Sequence, residues 1–301
     1  MLELHAPLTT PFDAEEKIDF DAFLANLAWY DSQPLDGYLV NGSSGEAEML
    51  TASEQRETLR LATQASKRPV LAGISATSVL ATLHEIEAVQ HLPLSGVLLR
   101  TPSYFGSQLD QVRYYREVAD RSPLPIWIYQ IPQNTGIKLD ATALQELSTH
   151  RNIVGIKDSL GDLSMLQEAK TRPGFRYLLG AANLIAPGVR CGAVGGILAL
   201  ADVVPVACRQ LLNHLEQGQW AEAQQLQQSL IPLSRALGGS QGFGIAGLKA
   251  AVGLVAPTGG PPRRPLKPLA PAGLEALQAL VKPWQEGQLM TRPTLDSQPS
   301  L

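Results

Sequence analysis

Short apolar runs of four or five residues, rich in Val, Ile and Leu, alternate along this chain with longer stretches whose apolar positions recur at helical spacing. The runs fall at 4–8, 37–41, 69–73, 96–99, 125–129, 154–157, 177–180 and 195–199, and each is predicted to be a strand. The intervening stretches are amphipathic. Phe20, Phe23, Leu24 and Leu27 share one helical face, and Thr51-Ala52-Ser53-Glu54 opens the next helix with a hydroxyl cap and an acid in its first turn. Further helices are predicted near 78–91, 109–121, 142–148 and 163–170. Strands alternating with helices imply a parallel sheet. Eight such units are best satisfied by an α/β fold of the TIM (β/α)8 barrel type, because closure removes both unpaired edges. An open doubly wound sheet is the alternative.

After the eighth run the pattern changes to helices at 203–215, 220–237, 245–255 and 274–284 with no further strand between them. The first completes the barrel and the others form a helical C-terminal extension. Pro257-Thr258-Gly259-Gly260-Pro261-Pro262 reads as a connecting loop. The expected division is a barrel over 1–215, the extension over 216–285 and a polar, aperiodic, frayed tail over 286–301.

With 301 residues, 45% of them hydrophobic, the chain can bury a full core. Its 24 basic and 28 acidic side chains give a net charge of −4 with no run of five or more like charges, so nucleic acid is not an expected partner. No apolar stretch is long enough to cross a bilayer, and Met1-Leu2-Glu3-Leu4-His5 lacks a basic region leading into a hydrophobic one; no membrane contact and a cytoplasmic location are expected. Cys191 and Cys208 form no disulfide framework, and His5, His84, His91, His150 and His214 lack metal-ligand spacing, so no metal is expected.

The candidate chemistry centres on Lys157, which closes the run Ile153-Val154-Gly155-Ile156. A lysine at the end of a buried strand is either paired or readily deprotonated, and a neutral amine attacks carbonyl carbon. An ordinary ion pair with Asp158 is the competing structural reading. Active groups of a parallel barrel gather at the C-terminal ends of its strands, and two further features fall there. Asn41-Gly42-Ser43-Ser44-Gly45-Glu46 follows the second strand, where backbone N–H groups assisted by Ser43 and Ser44 suit a carboxylate. Tyr129 ends the fifth strand, one strand from Lys157, so a phenol and an amine can meet if both point inward. The loop lacks the spacing of a nucleophile elbow, and Gly192-Ala193-Val194-Gly195-Gly196 lacks that of a dinucleotide fingerprint.

Taken with Thr10-Pro11-Phe12, Thr101-Pro102-Ser103-Tyr104-Phe105, Thr135-Gly136 and Gly195-Gly196, these motifs resemble the dihydrodipicolinate synthase/N-acetylneuraminate lyase family in order and spacing over roughly residues 5 to 270. The resemblance implies a TIM barrel, pyruvate-dependent class I aldolase chemistry and a homo-oligomer, dimer or tetramer. By resemblance, Lys157 forms the imine with pyruvate or a 2-oxo acid, with no other cofactor. Tyr129 relays protons, Ser43 and Ser44 bind the carboxylate beside Gly42, and Ser44 continues the relay. Tyr104 matches a tyrosine that reaches into a neighbouring subunit, and the backbone near Ile197 lines the keto-acid pocket.

One position departs from the family's synthases: they typically carry arginine five residues after the tyrosine, to hold the carboxylate of aspartate semialdehyde, and here it is Asn134. Asparagine cannot supply that charged fork. The first expectation is therefore a pyruvate-releasing aldolase for a 4-hydroxy-2-oxo acid, as in 4-hydroxy-2-oxoglutarate aldolases. The second is a 4-hydroxy-tetrahydrodipicolinate synthase, with Arg190 or another basic group as substitute clamp. The third is an N-acetylneuraminate or sugar-acid lyase. A non-catalytic 2-oxo-acid sensor is the alternative from a different class.

Overall fold

The structure, a computed structural model, describes residues 1–104, 106–238 and 242–287; Phe105 and all but the first two residues of the expected tail lie outside the described residues. Eight parallel strands, β1 (Glu3–Pro7), β2 (Gly37–Val40), β3 (Val70–Ile74), β4 (Gly96–Arg100), β5 (Ile126–Gln130), β6 (Ile153–Asp158), β7 (Arg176–Leu179) and β8 (Gly195–Ile197), close in sequential order, with β8 pairing back to β1. The fold is the TIM barrel, not the open sheet.

Successive side chains of a strand point to opposite faces, so each strand feeds two cores. Val97, Leu99, Ile128, Ile156 and Leu179 face outward into the layer shared with the helices. Leu39, Leu71, Leu98, Trp127, Tyr129, Leu178 and Ile197 fill the interior. Both faces being covered, the strands read as continuous apolar runs rather than as alternating ones. Gly155 is required by this interior packing, since a Cβ there would lie 2.4 Å from a Trp127 ring carbon and 2.4 Å from the Arg176 carbonyl oxygen.

The outer layer comprises α1 (Phe20–Asp31), α2 (Ala52–Ala65), α3 (Val79–Val89), α4 (Gln108–Arg121), α5 (Pro132–Thr135), α6 (Ala141–Ser148), α7 (Ser164–Glu168), α8 (Ile185–Arg190) and α9 (Pro205–Glu216), followed by α10 (Trp220–Ala236), α11 (Gly244–Val255) and α12 (Pro271–Gln285). Thr51 and Glu54 form a reciprocal capping box at the start of α2. Asp19, Ser78, Ser107 and Asp140 cap α1, α3, α4 and α6 through their side chains. The buried stripe of α1 is Phe23, Asn26, Leu27 and Tyr30, with Phe20 and Leu24 at its margin.

Several expected boundaries shift, the strand expected at 195–199 ending at Ile197 among them, and one helix was unexpected. The second strand ends at Val40, because Asn41 turns into the left-handed region at φ 59°. The helix expected at 163–170 spans only Ser164–Glu168. Helix α8 was hidden by Pro187 and Gly188; Pro187 is tolerated there because it lies in the first turn, where a backbone N–H has no intrahelical partner. Helix α10 packs on α8, α9 and α12, and α11 packs on α12. No described helix is long and apolar enough to cross a membrane, and no group of three or more His, Cys, Asp or Glu among the described residues is placed to hold a metal.

Candidate active site

The register across four adjacent strands sets the site. Arg100 of β4 pairs with Tyr129 of β5, which pairs with Lys157 of β6, which pairs with Leu178 of β7. These residues follow Leu98, Trp127 and Gly155 at a two-residue interval, so their side chains share the interior face at the C-terminal rim. Lys157 is only 5% exposed, and its Nζ lies 4.4 Å from the centroid of the Tyr129 ring. The Tyr129 hydroxyl stands 3.3 Å from Ser43 Oγ, within hydrogen-bond reach. Amine, phenol and serine hydroxyl thus form one continuous cluster.

The pairing of Lys157 with Asp158 that the sequence left open does not form. Asp158 points to the other face of β6, where it accepts from the Tyr177 hydroxyl, from Leu160 N–H at 2.8 Å and from Gln130 Nε2 at 3.3 Å. Burial pushes its carboxyl above the usual range, and those three donors offset part of the rise.

Ser43 belongs to a 3-10 turn, Ser43–Gly45, inside the loop that follows β2. Two non-glycine residues in the left-handed region bracket this loop, Asn41 at φ 59° and Glu46 at φ 56°. Such a conformation persists only where the surroundings enforce it, and at both ends the side chain is clamped. Asn41 Nδ2 donates to the Gln55 carbonyl and Asn41 Oδ1 accepts from Thr58 Oγ1, each at 2.8 Å. Glu46 is paired with Lys249 of α11 at 2.7 Å and accepts from Arg263 N–H at 2.9 Å. Thr10 Oγ1 donates to the Gly45 carbonyl at 2.7 Å. Gly73 is needed opposite, because a Cβ on it would stand 2.1 Å from the Asn41 carbonyl oxygen. Loop geometry is therefore held from α2, β3 and the C-terminal extension together.

The remaining expected residues are placed as follows. Gly42 and Ser43 line the cleft with Tyr129, and Ser44 sits half-buried in the same turn. Asn134 lies in α5 and is exposed. Tyr104 is 84% exposed, on the loop after β4. Ile197, the last residue of β8, is buried in the barrel interior with Leu178. Arg190 does not replace the missing clamp: its guanidinium stacks 4.5 Å from the Trp220 ring, outside the barrel.

Two polar residues were missed. Arg100 lines the cleft with Asn41, Gly42, Ser43, Glu48, Ser75 and Tyr129, and Nη1 donates to Glu48 Oε1 at 2.6 Å. It closes the apolar run Gly96-Val97-Leu98-Leu99, the same signature that singled out Lys157. Asp202, in the 3-10 turn after β8, is wholly buried with neither carboxylate oxygen hydrogen-bonded among the described residues. Burial raises its carboxyl well above the usual range, against the pull of the Lys157 charge.

Comparison with known proteins agrees with this architecture. Residues 1–283 match the profile of the dihydrodipicolinate synthetase family. An uncharacterized DapA-like lyase of Halobacterium salinarum is 32% identical over 279 residues, covering 91% of this chain and 90% of that protein. A 4-hydroxy-tetrahydrodipicolinate synthase of Methanococcoides burtonii is 29% identical over 267 residues, covering 87% of this chain and 91% of that one. Among solved structures, the 4-hydroxy-tetrahydrodipicolinate synthase of Methylacidiphilum fumariolicum superposes with a TM-score of 0.87 at 27% identity, over 96% of this chain and 98% of its own.

Proposed function

Because the chain belongs to the dihydrodipicolinate synthetase family and is a lyase of it, we propose that it makes or breaks a carbon–carbon bond next to pyruvate through an imine on Lys157, with a 4-hydroxy-2-oxo acid as the cleaved substrate. The observation that carries this reading is the buried Lys157 amine over the Tyr129 ring, with the Tyr129 hydroxyl linked to Ser43. The amine adds to the C2 carbonyl of the substrate and water leaves, giving a protonated imine. Loss of the C4 hydroxyl proton then breaks the C3–C4 bond, and its electron pair flows into the imine to give an enamine while an aldehyde departs. Protonation of C3 and hydrolysis release pyruvate and restore the lysine. On this reading Tyr129 and Ser43, whose hydroxyls lie 3.3 Å apart, carry these protons in place of the relay expected of Ser44, and Ser44 and the N–H groups of the turn hold the C1 carboxylate. The lysine carries the covalent step without a further cofactor. Exposed Tyr104 would serve a neighbouring copy in a homo-oligomer.

A second reading, condensation of pyruvate with aspartate semialdehyde, is favoured by the names of most relatives. Asn134, exposed and uncharged where the synthases carry arginine, weighs against it. Trapping decides the shared step. With pyruvate and borohydride, mass spectrometry is expected to find one reduced pyruvyl adduct on Lys157, and none on Lys157→Ala; an adduct on that variant refutes the assignment. Assay of 4-hydroxy-2-oxoglutarate cleavage against condensation with aspartate semialdehyde separates the two reactions.

A further inference from the structure

We propose that Arg100 is the specificity-determining residue of this cleft, binding the carboxylate of a carboxylate-bearing aldehyde or, in the cleavage direction, the distal carboxylate of a dicarboxylic 2-oxo acid. This rests on the aldolase reading above. It applies to either reaction, because glyoxylate and aspartate semialdehyde both carry the charge that Asn134 cannot hold.

Position is the first argument. Arg100, Tyr129 and Lys157 are successive register partners on β4, β5 and β6. Neighbouring strands lie about 4.8 Å apart, which puts the Arg100 and Lys157 backbones roughly 10 Å from one another with the Tyr129 phenol between. From the imine carbon of a five-carbon 2-oxo acid to its distal carboxylate there are three carbon–carbon bonds of about 1.5 Å each. An inward lysine and an inward arginine across that gap can therefore hold the two ends of one such molecule. The turn whose N–H groups are proposed to hold the C1 carboxylate begins at Gly42 and Ser43, which line the same cleft.

Charge is the second. The Arg100 side chain is 16% exposed, yet its ion-pair partner, Glu48, is 55% exposed at the mouth. The guanidinium gives Nη1 to Glu48 at 2.6 Å, and Nη2 only reaches the Ser75 carbonyl at 3.5 Å. Guanidinium has five donors in a rigid fork suited to a planar carboxylate, so most of its capacity remains for a ligand. Glu48, half in solvent, loses little by turning outward when a second carboxylate arrives.

The test uses the full chain and Arg100→Met, with Arg100→Lys as the conservative variant. Condensation of pyruvate is followed with glyoxylate, which carries the carboxylate, and with glycolaldehyde, which does not. A charge-assisted fork implies that Arg100→Met lowers kcat/KM for glyoxylate by about 10- to 100-fold. Glycolaldehyde turnover and the KM for pyruvate are expected to stay within about threefold, which also reports that the variant is folded. Arg100→Lys is expected to recover part of the loss, since a point charge replaces the fork. Equal falls with both aldehydes, or a rise in the pyruvate KM matching the glyoxylate loss, overturns the assignment. A parallel binding arm is independent of catalysis: calorimetry with 2-oxoglutarate and with 2-oxopentanoate, on the native chain, Lys157→Ala and Arg100→Met. Preference for the dicarboxylate is expected in the first two and lost in the third. If borohydride traps no adduct but that pattern holds, the aldolase reading falls and the Arg100 site stands; if no preference exists in the native chain, the Arg100 site falls whatever the trapping shows.

Discussion

Lys249→Met tests how the loop after β2 is held. The substitution keeps most of the apolar stem and removes the ammonium. In the native fold Nζ donates to Glu46 Oε1 and to the Thr10 carbonyl, both at 2.7 Å, and lies 4.2 Å from the Phe12 ring centroid. The two side chains of the pair are 0% and 1% exposed. Burial lowers the Lys249 ammonium from its usual range, and Glu46 works against that shift. Without the lysine, the Glu46 carboxylate keeps the Arg263 N–H at 2.9 Å but has lost its countercharge. Breaking a buried pair from one side costs about 3–5 kcal/mol, most of it the penalty of the stranded charge. Urea unfolding followed by tryptophan fluorescence is expected to show a loss of about 4 kcal/mol. Adding Glu46→Gln removes the stranded charge and is expected to recover about 2 kcal/mol of it. Since Glu46 is the left-handed residue that closes the loop, the single variant is also expected to raise the KM for pyruvate more than it lowers kcat. A loss below about 1 kcal/mol, or a double variant no better than the single one, would mean that the pair is not what secures the loop.

Tyr129→Phe removes the hydroxyl that faces Ser43 and is expected to lower kcat by about 100-fold or more while leaving pyruvate trapping on Lys157 detectable; equal losses in turnover and pyruvate affinity would count against a relay. The Glu54 carboxyl, held at about 2 by hydrogen bonds from Arg263, Thr51 and the field of that guanidinium, is depressed below its ordinary 4.5. Its contribution is thus present above pH 4.5 and is lost as the pH falls toward 2. Melting curves between pH 6 and 2 should be steeper for the native chain than for Glu54→Gln, and parallel curves would contradict the assignment. Gly155→Ala forces a Cβ against Trp127 and the Arg176 carbonyl and is expected to cost about 1–3 kcal/mol, together with a weaker imine yield one layer above; an unchanged urea midpoint would show that the interior has slack.

The barrel was readable because its strands are buried on both faces and separated by helices with clear caps, such as Thr51 with Glu54. Lys157 and Tyr129 were readable because a polar residue ending an apolar run is conspicuous. Arg100 ends such a run too, but no spacing along the chain ties it to Tyr129; the strand register does, while Arg190 stacks on Trp220 outside the barrel. The Glu46 to Lys249 clamp joins residues 203 positions apart, a separation that no local pattern encodes. Asp158 looked like a partner for Lys157 because the two are adjacent, yet adjacency in a strand sends them to opposite faces. Helix α8 was concealed by Pro187, whose meaning depends on which turn it occupies.

Trp127, seated over Gly155 with Leu98 and Leu178 around it, corks the barrel beneath the lysine. Entry and exit consequently share one mouth. On the proposed imine mechanism, the fragment bonded to Lys157 would occupy the blind end of this corridor, entering first and departing last, so product-inhibition patterns are expected to be those of an ordered mechanism with the aldehyde leaving ahead of pyruvate.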